Sequence, residues 1–332
     1  MQDTKQKVVV CGGGGFIGGH LVGDLIRKGF KDVRVVDVKP KSEWYQVHGQ
    51  AENLVADLNL KDAAFAATKG MDTVINLACN MGGMGFIEKN KGLCMISVLI
   101  NTHLLMGAKE HGAKRFFYAS SACVYNGDKQ KDKKIETFLK EEDAYPALPE
   151  DGYGWEKLFS ERMCRHFRED WNVPTRVARF HNVYGPYGTW DGGREKAPAA
   201  ICRKVIQAKT SGKHEIEIWG DGQQTRSFMY ISDCLKGVYM ITESEKWHEP
   251  INLGSAEGVT INQLVDIAED IAGIKLKRNY NLDAPKGVAG RNSDNTLINK
   301  VFGWEPNTKL RDGLEITYRW INDQMASKRA SK

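Results

Sequence analysis

The run VVVCGGGGFIGGH, residues 8–20, constrains this chain more than any other stretch. Three valines and a cysteine read as a buried strand. The apolar positions of FIGGHLVGDLIRKG then recur with helical period, so the glycines between must form a very short strand-to-helix turn. Gly12, Gly15 and Gly18 stand at Gly-x-x-Gly-x-x-Gly spacing. In such a turn the first glycine permits the bend, the second lets a pyrophosphate approach the backbone, and the third lets the helix pack closely. The helix N-terminus, here Phe16 and Ile17, supplies N–H donors and positive potential. Asp37 ends the next strand-like run, DVRVVDV, about 20 residues further on, where a carboxylate binds a ribose 2′-hydroxyl and repels a 2′-phosphate. NAD, rather than NADP, is therefore the expected cofactor. Asp57, in VADLNL, suits either an adenine contact or a strand-end turn, and spacing does not choose between them.

The same rhythm continues through DTVINLA, GLCMISVLINTHLLMGAKEHG, RFFYASS and TRVARF, β-rich runs alternating with helical ones. This predicts an α/β chain with a Rossmann-type doubly wound parallel sheet. Beyond about residue 180 glycine and proline punctuate the chain, as in YGPYGTWDGG, WGDGQQT and DAPKGVAGRNSDN. The expected division is an NAD-binding domain over 1–180 and a smaller, loop-rich substrate lobe over 181–328, with some chain returning to the first domain. Length, 332 residues, allows a large core in either part. No window reaches ~18 uninterrupted apolar residues and the N-terminus carries no signal-peptide pattern, so no membrane partner and a cytoplasmic location are expected. Seven scattered cysteines without a C-x-x-C pair argue for reduced thiols and against a zinc site. The net charge of +5 sits partly in DKQKDKK and ASKRASK, which read as solvated segments and not as a nucleic-acid footprint.

YGWEK places Tyr153 and Lys157 four residues apart, on one face of a helix. A lysine ammonium beside a phenol stabilises phenolate and so makes tyrosine a usable acid or base near neutral pH. Tyr125 and Lys129 match the same spacing, but VYNGDKQKDKK describes a turn and not a helix, so the pair is set aside. Ser121, at the end of the preceding strand, completes the hydrogen-bonded set.

Gly12/Gly15/Gly18, Asp37, Ser121 and Tyr153/Lys157 together resemble the extended short-chain dehydrogenase/reductases of the nucleotide-sugar epimerase and dehydratase family. The resemblance spans almost the whole chain. NMGGMGFI, YASSACVY, RFHNVYGPYGTWDGGREKAPAA, WGDGQQTRSF and GRNSDN resemble the branch that inverts carbons 3 and 5 of GDP-mannose. It implies that Tyr153, helped by Lys157 and Ser121, takes the proton of the sugar 4-hydroxyl during oxidation at C4. The ketone then acidifies C3 and C5, and Cys123 and Lys196 map onto the two proton carriers that flank the ring. Gly82, Gly83 and Gly85 are implied as backbone against the sugar, with Ser121, Ala122 and Cys123. Asn182, Glu195 and Lys204 match positions holding sugar or phosphate, Arg226 and Arg291 a pyrophosphate clamp, and Gln224 and Thr225 lie beside the nucleotide.

Cys79, Asn80 and Ala289 depart from the pattern and bear on substrate fit. A 4-epimerase, a 3,5-epimerase of another GDP-hexose or heptose, and a non-catalytic NAD-sensing protein remain as alternatives. A 4,6-dehydratase would need acidic residues where Ala122 and Cys123 stand. The family also implies a homodimer formed through the helices near 92–111 and 153–170.

Overall fold

A computed structural model describes residues 4–131, 138–284 and 287–330. Residues 132–134 of the basic run and the last two residues of the tail lie outside them. Seven parallel strands form the central sheet: β1 (Val8–Cys11), β2 (Val33–Asp37), β3 (Glu52–Val55), β4 (Thr73–Asn76), β5 (Arg115–Ser121), β6 (Thr175–Phe180) and β7 (Ile251–Leu253). Their order is β7-β6-β5-β4-β1-β2-β3. β1 sits centrally, with Val10 paired to Val35 of β2 and Ile75 of β4. Strand order reverses between β1 and β4, and at such a switch point the loops leaving the strand C-termini diverge and open a crevice.

Alternation along β1 explains the two layers. Val8 and Val10 face a core shared with Leu21, Val22 and Leu25 of α1 (Phe16–Arg27). Val9 and Cys11 face the opposite core, with Ala64 and Ala67 of α2 (Lys61–Thr68) and Ile100, Leu104 and Leu105 of a later helix. Both sheet faces are covered, so its strands read as continuous apolar runs. After β4 come α3 (Met84–Lys89), α4 (Lys91–Ile96) and α5 (Val98–Glu110). The long helix expected over this region is therefore broken at Ser97, a buried residue whose hydroxyl accepts a hydrogen bond from the Asn80 amide (2.9 Å). Lys91–Glu110 is, by length and composition, apolar enough to cross a membrane. Here Ile100, Leu104 and Leu105 are buried against the sheet side.

α6 (Asp151–Trp171) follows β5, and beyond β6 come α7 (Ala197–Ser211), α8 (Ile231–Thr242), α9 (Ile261–Ala272), α10 (Thr296–Phe302) and α11 (Leu310–Ala330). α7, α9 and α11 build a separate core around Val205, Leu264, Val265, Leu314 and Ile321. Two crossings tie the halves together. β7, from the second half, extends the central sheet by pairing with β6, and Phe138–Leu139, from the first half, joins Gly290–Ser293 in a four-stranded sheet. All seven cysteines are free thiols.

Candidate active site

The C-terminal ends of β1, β2, β4, β5 and β6 carry Gly12, Asp37, Cys79, Ser121 and Asn182 respectively, each at or just past the strand end. A cleft of about 280 Å³ opens there, lined by Gly82, Gly83, Gly85, Ser121, Ala122, Cys123, Tyr153, Asn182, Glu195, Lys196, Lys204, Gln224, Arg226 and Arg291. Thr225 is not among its lining residues. It lies in a strand, paired with Thr260 and Gly290.

Tyr153 and Lys157 occupy adjacent turns of α6 and are both buried. A Cβ on Gly154 would fall 2.3 Å from the Cys123 carbonyl, so only glycine lets α6 press this closely against the turn that follows β5. The Tyr153 phenol stands close enough to the Ser121 hydroxyl for its pKa to be lowered by it, and Ser121 Oγ accepts from the Cys123 amide (3.2 Å). Lys157 Nζ donates to the Ala119 carbonyl (3.0 Å) and lies 5.6 Å from the Tyr153 ring centroid. Sequence spacing led to the expectation of a lowered phenol pKa. Burial instead holds Tyr153 well above the ordinary tyrosine value, with Cys79, Cys123 and Glu156 adding to the rise and the nearby Ser121 hydroxyl opposing it.

Cys123 and Lys196 enter the cleft from different elements, the short turn after β5 and the residue capping the N-terminus of α7. Burial pushes the Cys123 thiol up. Arg291, which donates to its Sγ at 3.3 Å, pulls the other way. Burial pushes the Lys196 ammonium down, and the thiolate form of Cys123 opposes that shift. Arg291 was expected at a pyrophosphate. Its guanidinium lines the cleft beside the turn that follows β5, bonded to Cys123, to Gln130 Oε1 (2.7 Å) and to Glu150 Oε2 (2.7 Å). Arg226 stays on the cleft wall, donating to the Val288 carbonyl (2.7 Å), with burial and Arg291 lowering its pKa to about 10.

The remaining candidates are held by short polar contacts. Glu195 accepts from Arg203 (2.8 Å) and from the Gly193 amide (2.7 Å), Asn182 donates to the Ser227 carbonyl (3.2 Å), and Lys204 donates to the Glu217 carbonyl (2.9 Å). Sequence reasoning missed Glu150, Arg203, Glu217 and Trp219, which also line the cleft. Of these only Trp219 stood in a quoted motif, WGDGQQT. It missed Cys79 as a neighbour of both Tyr153 and Lys157 as well. Tyr125 is fully buried and bonded to Asn252, and Lys129 pairs with Asp143, so the second Tyr-x-x-x-Lys match stands apart from the cleft.

The glycine turn fits a dinucleotide. Gly12 has φ +81°, and a Cβ on Gly18 would fall 2.3 Å from the Gly12 carbonyl, so the first turn of α1 closes directly on the bend and leaves its amides free to face an anion. Asp37 is buried at the end of β2, one oxygen accepting from the Lys39 amide (3.0 Å), which leaves the other for a ribose hydroxyl. Asp57 is engaged in its own turn through the backbone and side-chain nitrogens of Asn59 (2.9 and 2.7 Å).

The family model described as "NAD dependent epimerase/dehydratase family" matches residues 8–254. The chain is 44% identical over 328 residues to GDP-mannose 3,5-epimerase 1 of Oryza sativa subsp. japonica, covering 97% of this chain and 83% of that protein. It is 43% identical over 331 residues to the GDP-mannose 3,5-epimerase of Arabidopsis thaliana, covering 98% and 84%. Its fold is similar to that of UDP-glucose 4-epimerase from Thermotoga maritima solved with UDP-glucose, at a TM-score of 0.83 and 23% identity, covering 96% of this chain and 99% of that one.

Proposed function

This chain belongs to the NAD-dependent epimerase/dehydratase family, and from that membership we propose that it is a GDP-mannose 3,5-epimerase. The observation that carries the reading is the entry of Cys123 and Lys196 into the cleft that also holds Tyr153 and Ser121. An inversion at carbon needs one group to remove a proton from one face of the ring and another to return a proton to the opposite face. Residues 1–180 carry the cofactor on this reading, and residues 181–328 hold most of the nucleotide sugar.

Bound in the glycine cradle and at Asp37, NAD supplies a hydride acceptor and donor for C4 of the sugar. Tyr153 takes the 4-hydroxyl proton and later gives it back, Ser121 orients that hydroxyl, and the Lys157 ammonium compensates the phenolate. The C4 ketone acidifies C3 and C5. Cys123 and Lys196 then exchange protons with those carbons from opposite faces. Burial disfavours the charged form of each, raising the thiol and lowering the ammonium. Arg226 and Lys204 face the diphosphate. The aromatic face of Trp219 and the carboxylate of Glu217, both exposed at the far end of the cleft, suit stacking and the N–H edge of guanine. We place its action in the cytoplasm, a reading that the unpaired thiols of its seven cysteines support.

Incubation with GDP-mannose in D2O tests the proposal. Deuterium at both C3 and C5 of the recovered sugar is the expected result. Inversion at C4 without wash-in at C3 or C5 overturns it in favour of a 4-epimerase, and turnover confined to another GDP-hexose or a heptose reassigns the sugar. NAD retained without turnover of any nucleotide sugar points to the non-catalytic alternative.

A further inference from the structure

Glu156 lies immediately before Lys157 on α6 and does not line the cleft. Its side chain is 1% exposed. One oxygen, Oε1, accepts from the Tyr118 hydroxyl (2.9 Å) and the Ser160 hydroxyl (3.0 Å). The other, Oε2, has no hydrogen-bond partner among the described residues and stands 3.7 Å from Lys157 Nζ. A buried carboxylate with an unbonded oxygen is costly, often by several kcal/mol, unless a cation compensates it. Two neutral hydroxyls do not supply that charge, and the cation it faces is the lysine that also serves Tyr153.

We propose that Glu156 is a positioning residue: its buried carboxylate holds the Lys157 ammonium in place and charged behind Tyr153, so that the phenol always faces a full positive charge. The inference rests on the reading of Tyr153 and Lys157 as the proton relay for chemistry at C4. The enclosure of Lys157 makes the need plain. Around it stand the Ala119 carbonyl at 3.0 Å, the Tyr118 and Tyr153 rings at 4.7 and 5.6 Å, the Cys79 thiol beyond β4, and Cys164 further along α6; Cys94 on α4 faces Glu156. Burial alone drives a lysine toward the neutral amine. Lys157 is nevertheless raised, because Cys79 and Glu156 together outweigh the burial. Burial also raises the Cys79 thiol, so near neutral pH that sulfur is protonated and uncharged. Glu156 is then the anion that keeps Lys157 charged.

Glu156→Gln separates this from a purely structural role, because an amide oxygen still accepts from Tyr118 and Ser160 while the charge is gone. Activity that needs the ammonium is lost as pH rises through the Lys157 pKa. The variant is expected to retain NAD and its circular dichroism, to lose at least tenfold in kcat at pH 8–9, and to move the alkaline limb of kcat down by a unit or more. A readout without substrate is ultraviolet difference titration of the Tyr153 phenolate, assigned by comparison with Tyr153→Phe. Simple removal of a nearby anion lowers that midpoint, whereas loss of the Lys157 charge raises it, and a rise is expected. An unchanged alkaline limb, or a phenolate midpoint that falls, overturns the proposal. Because the titration needs no sugar, its outcome stands apart from whether GDP-mannose is the substrate. If the Gln variant does not fold, Glu156→Asp serves: the retracted charge should move the midpoint in the same direction by a smaller amount, and no movement overturns the proposal.

Discussion

Cys123 shows how little a residue type decides before its neighbours are known. As one of seven free cysteines it reads as a small apolar filler. Its position two residues after Ser121, with Arg291 at its sulfur and Lys196 facing the same cleft, is what the proposed acid/base role rests on. Cys123→Ala should lower deuterium exchange at C3 and C5 by about 10²–10⁴-fold while NAD content and folding stay as in the parent; mass spectrometry of the sugar and absorbance of the released cofactor check both. His181 carries a different consequence. It is fully buried, one ring nitrogen bonded to Asn252 (3.1 Å), and burial lowers its pKa from 6.5 to about 3. Between those values the unfolded chain binds a proton that the folded chain does not, so its contribution is intact above pH 6.5 and lost as pH falls. Denaturant titrations from pH 7 to 5 should show stability falling, and His181→Asn should reduce the slope below pH 6.5 by about 1.4 kcal/mol per pH unit.

At the scale of elements, α6 does two jobs along its length. Its first turns carry Tyr153 into the cleft, with Glu156 and Lys157 buried away from it. One turn later Glu161 forms a buried ion pair with Arg179 of β6 (2.7 Å, both side chains 3% exposed) and accepts from Ser120 of β5 (2.6 Å). That pair locks the helix against the two strands whose ends carry Ser121 and Asn182. Glu161→Ala leaves the guanidinium buried without its carboxylate and should cost about 3–5 kcal/mol, measured by chemical denaturation. The amphipathic pattern made α6 legible in the sequence. The break at Ser97 was not, because a hydroxyl that accepts from an amide of a distant loop leaves no trace in local periodicity. β7 was hidden for a similar reason: three residues, Ile-Asn-Leu, form a strand only because β6 presents an open edge to them.

For the molecule as a whole, Leu93, Met95 and Ile96 of α4, Leu99 of α5, and Trp155 and Phe159 of α6 are all exposed, and α4 and α6 lie against one another. Contiguous apolar surface of this kind on adjacent helices marks an interface. The homodimer that the family resemblance implies would bury it by setting these helices against the same helices of a second copy. Trp155→Glu combined with Phe159→Glu is expected to yield a monomer of half the parent mass by light scattering. A parent protein that is itself monomeric would remove the dimer from the reading.

The family, the parallel sheet and the NAD turn were determined by sequence alone, because their physics is local. A glycine at each point of a tight bend, alternating valines and a tyrosine–lysine pair one helical turn apart are dictated by neighbours in the chain. Tertiary structure decided what burial and distant contacts control. Arg291 stands 168 residues from Cys123 yet donates to its sulfur, and Thr225, adjacent to Arg226 in sequence, stays out of the cleft. The phenol of Tyr153 is raised and not lowered, chiefly by desolvation, with Cys79, Cys123 and Glu156 adding to the rise. Desolvation depends on everything packed around a group, and no stretch of sequence, however well matched, contains that information.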